Sequence, residues 1–255
     1  MIIVKFILLH EHHKYYNNIV TEFITPLVMK KMMDENNFYI LKKSELLEDF
    51  KEFSSGINIY LSGLMGDEFS KSAVDEMRVE FEKFITEIPY IGGDDNPMTP
   101  NLLSSVRYLM VYLVLNFRGI DVKEIGEMCY KHEDEFFKAH PQFVPPLCNP
   151  YVIKSLEKSA LESGQYSEDF AYSYVEGEDF DLGLDFTECA LLKLYKNYSA
   201  DDFIPYICAM DIIMSKYGDL GLYRSKTLAE GCDVCDFRYK AGRETNVASE
   251  VVKNL

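Results

Sequence analysis

Four cysteines in the C-terminal third, Cys189, Cys208, Cys232 and Cys235, carry the chemistry this chain could perform. A thiol can attack carbon, hold a soft metal or exchange with a disulfide, and spacing helps to separate these uses. Cys232-x-x-Cys235, inside "EGCDVCDFRYK", is half of a zinc motif with no second pair of similar spacing. Cys189 and Cys208 could complete a four-thiolate set, but they lie mid-element and 19 residues apart. A redox pair would open a helix after a strand, whereas this pair falls in a hairpin. The expectation is no metal and no cofactor, with zinc on these four thiols as the alternative. Cys129 and Cys148 read as small buried hydrophobes.

Three features set the remaining thiols apart. Cys189 falls near the N-terminus of the helix "ECALLKLYKNY", where backbone amides stabilise a thiolate. Glu188 beside it opposes that effect and could instead carry a proton. On the next helix Ile204, Ile207, Cys208, Asp211 and Ser215 share one face, so Asp211 lies within a turn of Cys208 on a core-facing stripe. A carboxylate there needs a partner or a function. In "CDVCDFRYK", strand alternation puts Cys235, Phe237 and Tyr239 on one face and Val234, Asp236 and Arg238 on the other.

Histidine is informative by its placement. All five, His10, His12, His13, His132 and His140, lie in the first 140 residues. A Cys–His dyad would have to recruit His132 or His140 across the two halves of the chain. "HEHH" has a metal-like composition but reads as an exposed start. The acidic run from Glu162 to Glu188 reads as a solvated sheet face and turn, since it lacks a calcium-loop spacing. No G-x-S-x-G, P-loop or glycine-rich dinucleotide turn is present.

The elements that must position these residues change character near Gly164. Before it, helical periodicity dominates. Ile19, Phe23 and Leu27 mark one helix, and Val74, Met77, Phe81 and Phe84 mark another. "NLLSSVRYLMVYLVLNFRG" is apolar enough to be central and stops at Gly119. "DVKEIGEMCYKHEDEFFKAH" is amphipathic and ends at Pro141, and "YVIKSLEKSALES" is one more helix. After Gly164, Phe180, Leu182, Leu184 and Phe186 alternate with acids, a half-buried strand that follows one through Tyr172 and Tyr174. Thr187 can N-cap the next helix, and Pro205 fits the first turn of the one after. "LYRSKTLAEG" and "VCDFRYK" close as a strand pair. The predicted fold is α+β: a helical part over 1–163, packed on an α+β part over 164–255. Together they would form one compact unit, with a four-stranded, mainly antiparallel sheet carrying helices on one face.

Bulk properties narrow the partners. With 42 acidic against 26 basic residues the formal charge is -16, which argues against nucleic acid or an anionic membrane surface. Six cysteines in 255 residues do not make a disulfide scaffold. The apolar opening "MIIVKFILLHEHH" lacks the features of a signal peptide, and "YLMVYLVLNF" is about half the length that spans a bilayer. The expected setting is cytoplasmic and reducing, and the expected partner is a small molecule.

"TECALLKLYKNYSADDFIPYICAMD" followed by "YRSKTLAEGCDVCDFRYK" resembles the L-2-amino-thiazoline-4-carboxylic acid hydrolase family of bacteria. The matching residues are Glu188-Cys189, Cys208 and Asp211, Thr227, Gly231 and Cys235-Asp236-Phe237. Cys232 stands where the family usually has a small residue. The resemblance implies a hydrolase that opens a cyclic amidine-like ring at the carbon between N and S, giving an N-carbamoyl amino acid. It implies Cys235 as nucleophile, Asp211 or Asp236 as general base or acid, and Glu188 as a second proton carrier. Arg224 or Lys226 would hold a substrate carboxylate, with Cys189, Cys208, Thr227 and Phe237 around the substrate. A carboxylate that activates water, with Cys235 as a wall, is an alternative within this class. Because strict alternation separates Cys235 from Asp236, both can enter one pocket only across a β-bulge. The closing "G…C-x-F" also resembles 4-vinyl-reductase-type domains, which implies the competing class: a non-catalytic small-molecule- or metal-binding domain.

Overall fold

Apolar residues recurring at intervals of three and four build the first half of the molecule. The computed structural model describes residues 37–248. The predicted helix through Ile19, Phe23 and Leu27 and the "HEHH" histidines lie outside the described residues. A single turn, α1 (Phe38–Leu41), leads into α2 (Lys43–Met65), a helix the sequence reading did not single out. Gly66, at φ +86°, reverses the chain into α3 (Asp67–Phe84). The two long helices close on each other through Phe50 and Phe81, whose rings stack at 4.0 Å. The predicted stripe Val74, Met77, Phe81 and Phe84 is the buried face of α3.

The helix α4 (Thr99–Phe117) is buried on most sides and ends at Gly119, φ +84°, as its sequence predicts. Asp121 caps α5 (Val122–Ala139) by accepting from the Lys123 amide at 2.9 Å, and Pro141 follows its end. Asn149 caps α6 (Pro150–Ala160) in the same way.

The second half lays strands and two helices against this bundle. The elements are β1 (Ala171–Val175), β2 (Leu182–Glu188), α7 (Ala190–Asn197), α8 (Ile204–Tyr217), β3 (Tyr223–Arg224), β4 (Cys235–Tyr239) and β5 (Asn246–Val247). The architecture is α+β, but the sheet has five strands, not four, in the order β1-β2-β4-β3-β5. The fifth pairs in parallel with β3. At two residues it is too short to show any alternation in sequence.

Two further expectations are corrected. Thr187 does not cap α7. Pairing of β2 with β1 runs through Ala171↔Glu188, which keeps Thr187 in the strand and leaves Cys189 as the N-cap residue. The closing strand pair is shorter than predicted, because only Tyr223 and Arg224 of "LYRSKTLAEG" are extended. The rest is a loop containing a 3-10 turn, Leu228–Glu230, which Thr227 caps by accepting from the Glu230 amide at 3.2 Å.

The halves share a continuous apolar core. Tyr195 Oη donates to the Ser105 carbonyl at 2.9 Å and Tyr112 Oη to Asp202 at 2.8 Å. Where α8 crosses α5, Gly126 lets the Tyr206 ring lie against the helix backbone, and a Cβ at that position would overlap the ring. Elsewhere in a helix, alanine gains about 1 kcal/mol over glycine. Here Gly126→Ala is expected to lose about 1–3 kcal/mol through overpacking. Urea unfolding checks this, and a Tyr206→Ala background should restore the ordinary alanine gain. Among the described residues, no helix is long and apolar enough to cross a membrane.

Candidate functional site

Arg224 organises the site. A two-residue strand inserts it beneath α8, where it is 1% exposed. Its Nη1 donates to Asp211 Oδ2 at 2.5 Å and its Nη2 to the Cys208 carbonyl at 2.9 Å. The guanidinium lies over the Phe237 ring, 5.0 Å from its centroid. Its Nε is buried with no protein hydrogen-bond partner. Arg224 thus grips the first turns of α8 from below and fixes the Asp211 carboxylate, which stays one-quarter exposed.

Three thiols surround this ion pair. Cys208 lies one turn before Asp211 on α8, Cys189 caps α7, and Cys235 opens β4 opposite Phe186 of β2. Cys189, Cys208, Asp211 and Cys235 lie close enough to shift one another's ionisation. Burial pushes all three thiols up. Cys208 titrates well above its ordinary value, with Arg224 opposing. Cys235 is pushed up to about 11, although the Leu228 amide donates to its Sγ at 3.1 Å. For Cys189 burial is opposed by the Leu192 and Leu191 amides of the helix start. The Asp211 carboxyl is also raised by burial, against the pull of Arg224. The thiols are therefore held neutral beside a carboxylate of increased proton affinity; the raised carboxyl favours accepting a proton, while the raised thiols resist giving one up.

The shared face Ile204, Ile207, Cys208, Asp211 and Ser215 forms as read, and the unbroken β2–β4 register from Cys235 to Tyr239 leaves no bulge. Asp236 therefore does not enter the cluster beside Cys235. Its carboxylate holds the β3–β4 loop, accepting from the Ser225 amide at 2.9 Å, Ser225 Oγ at 2.6 Å and the Lys226 amide at 2.6 Å.

Other residues singled out in the sequence also have different work. Glu188 is more than half exposed and pairs with Lys193. Lys226 pairs with Asp233 at 3.2 Å on the surface. Thr227 is buried as a turn cap and also donates to Glu230 at 2.8 Å. Phe237 serves as the floor under Arg224. Arg224 itself is occupied by Asp211 and a carbonyl, so it is not the open carboxylate anchor the resemblance implies. Among the described residues, no three His, Cys, Asp or Glu side chains are arranged to hold a metal ion.

The histidine route does not form either. His132 is buried in the helical part, its Nδ1 3.2 Å from Tyr108 Oη and its ring edge-on to Phe53 and Tyr60. His140 packs between Phe136 and Phe143. A residue missed in the sequence is Tyr195, fully buried and an electrostatic neighbour of Cys189, Cys208 and Cys129. The stripe Leu191, Leu194 and Tyr195 on α7, continued by Tyr198 just past its end, was the available signal.

These observations define a class: an α+β domain with thiols gathered around a buried carboxylate–guanidinium pair. Residues 134–239, which contain every member of the cluster, match the sequence model of the L-2-amino-thiazoline-4-carboxylic acid hydrolase family. The match supports the resemblance of the C-terminal third and extends it upstream into α5. No curated protein and no solved structure matches the chain.

Proposed function

We propose that the chain is a hydrolase that opens a 2-aminothiazoline-4-carboxylate-like ring to an N-carbamoyl amino acid. The observation that carries this reading is the gathering of Cys189, Cys208 and Cys235 around Asp211, which Arg224 holds, within the family-matched segment.

In the proposed reaction Asp211 takes the Cys235 proton, and the thiolate adds to the ring carbon between N and S. The Leu228 amide stabilises the thiolate before attack. The carbon–sulfur bond breaks, and Asp211 returns its proton to the departing ring sulfur. Water then adds to the resulting isothiourea, losing a proton to Asp211. The enzyme sulfur leaves and recovers that proton. One water is consumed, and the product carries a urea group and a free thiol. Arg224 positions Asp211, Cys208 borders the site, and Lys226 would have to exchange its surface partner Asp233 for the substrate carboxylate.

Cys189 is the second candidate nucleophile, because it is less buried than Cys235 and sits at a helix start. Purified chain should release free thiol from 2-aminothiazoline-4-carboxylate, read with a thiol-reactive dye. Asp211→Asn is expected to lose about 100-fold or more in kcat. Loss of turnover in Cys235→Ala but not Cys189→Ala assigns the nucleophile to Cys235, and the converse assigns it to Cys189. Full rates in both variants would remove the thiol mechanism. Binding of the thiazoline without turnover by the unmodified chain would favour a non-catalytic binding domain.

A further inference from the structure

A cleft of about 550 Å³ lies at the seam between the helical part and the sheet, and none of the clustered cysteines lines it. Its walls include Tyr90 and Asp95 from the loop before α4. Glu162, Tyr166 and Asp169 come from the segment joining α6 to β1, and Tyr172 from β1 itself. The Tyr90 and Tyr166 rings meet at 84° with centroids 5.2 Å apart, a right-angled aromatic corner. Aromatic faces carry the negative lobe of the ring quadrupole, and two faces at a right angle attract a cation placed between them. Three carboxylates and no lysine or arginine line the same space.

Asp169 separates this cleft from an ordinary acidic surface. It is 2% exposed, yet the hydrogen bonds to its Oδ1 come from neutral donors, Asn96 Nδ2 at 2.9 Å and the Phe170 amide at 2.7 Å. The neighbouring cation, Lys193, directs its ammonium to the carbonyls of Ser167 at 2.7 Å and Asp169 at 3.0 Å and to Glu188. Among the described residues, no ion pair reaches the Asp169 carboxylate. Burial raises its proton affinity, only partly offset by hydrogen bonds from Phe170, Asn96 and Gly164 and by the charge of Lys193, which makes no ion pair with it. A bound cation would offset the cost of that burial.

We propose that this cleft binds a small organic cation, an ammonium or amidinium group seated between the Tyr90–Tyr166 corner and Asp169, with Asp95 and Glu162 at the rim. A weakly hydrated organic cation suits aromatic walls better than a metal ion, which would want several oxygens converging at short range. The site is separate from the thiol cluster, so its fate does not bear on the hydrolase reading.

Calorimetric titration of the full chain with choline and with agmatine tests the proposal. The neutral shape-match 3,3-dimethylbutanol is the control. At least one cation is expected to bind saturably at one site, with the alcohol weaker by about tenfold or more. Asp169→Asn should weaken the cation by a similar factor. Because Asp169 is buried, Tyr166→Leu and the exposed-site variant Glu162→Gln serve as independent probes, each with its fold checked by circular dichroism. Tyr166→Leu should weaken binding and Glu162→Gln should reduce it modestly. Absence of saturable binding by both cations at millimolar concentration overturns the proposal. So does equal binding of the alcohol, or cation binding unchanged in both Asp169→Asn and Tyr166→Leu.

Discussion

Replacing Arg224 with methionine is expected to lower the unfolding free energy by about 3–5 kcal/mol and to abolish any activity of the thiol cluster. The guanidinium is 1% exposed and serves Asp211, the Cys208 carbonyl and the Phe237 ring together. Methionine fills much of the same volume but leaves the mostly buried Asp211 carboxylate without its partner, which is the costly half of the exchange. The double variant Arg224→Met/Asp211→Leu removes both charges and should recover most of the loss, because a buried ion pair contributes little net stability over apolar side chains. Asp211 supplies a pH signature. Burial already raises its folded-state titration above the unfolded value. Without Arg224 it rises further, so the deficit should shrink at acid pH, where the carboxyl is protonated in both states, and grow as pH rises through the folded value. Urea unfolding of the three variants at two pH values measures all of this. A deficit below about 1 kcal/mol in Arg224→Met, or a double variant no better than the single, would show that the pair does not hold α8 to the sheet.

The sequence reveals the elements around this pair better than the pair itself. The stripes of α3, α4 and α5 and their stops at Gly119 and Pro141 are local properties, readable from spacing. So is the face of α8 that carries Cys208 and Asp211. That face required a partner for Asp211 but could not identify it, because Arg224 comes from a strand of two residues with no period to read. Alternation in β4 correctly separates Cys235 from Asp236. It cannot show that Asp236 is consumed by the amides of Ser225 and Lys226, since that depends on how the ten residues between β3 and β4 fold. Matching motif residues to family positions therefore brings in Thr227 and Asp236, which hold the loop. Tyr195 is passed over, although it sits in the core against the thiols. The fifth strand is invisible for a similar reason: β5 exists because its backbone extends the edge at β3, not because of its side chains.

His132 is expected to make the fold acid-sensitive, costing about 3 kcal/mol between pH 7 and pH 4. The ring is walled in by Phe53, Tyr60 and the backbone at Gly56, where even a Cβ would stand 2.6 Å from Nε2. Burial, aided by the Arg107 cation, lowers its titration from 6.5 to about 4. The folded chain therefore holds the neutral ring while the unfolded chain protonates it near 6.5. The stabilisation is complete above that value and disappears as pH falls towards 4. Other titrating groups, one beside the ring and two elsewhere, complicate the total. Glu133, whose carboxyl accepts from Tyr108 Oη at 2.5 Å, is raised by burial and acts in the opposite sense, as do Asp169 and Asp211. The decisive quantity is thus the difference between the unmodified chain and His132→Gln, measured by urea unfolding from pH 7.5 to 4. Glutamine cannot charge, so the variant should be less stable at neutral pH, where packing is lost. Its deficit should narrow by about 3 kcal/mol at the acid end, because only the unmodified chain pays to keep a histidine neutral. Parallel pH profiles would mean that the ring protonates in place, with Glu133 as its counter-ion, and that the helical bundle tolerates the charge.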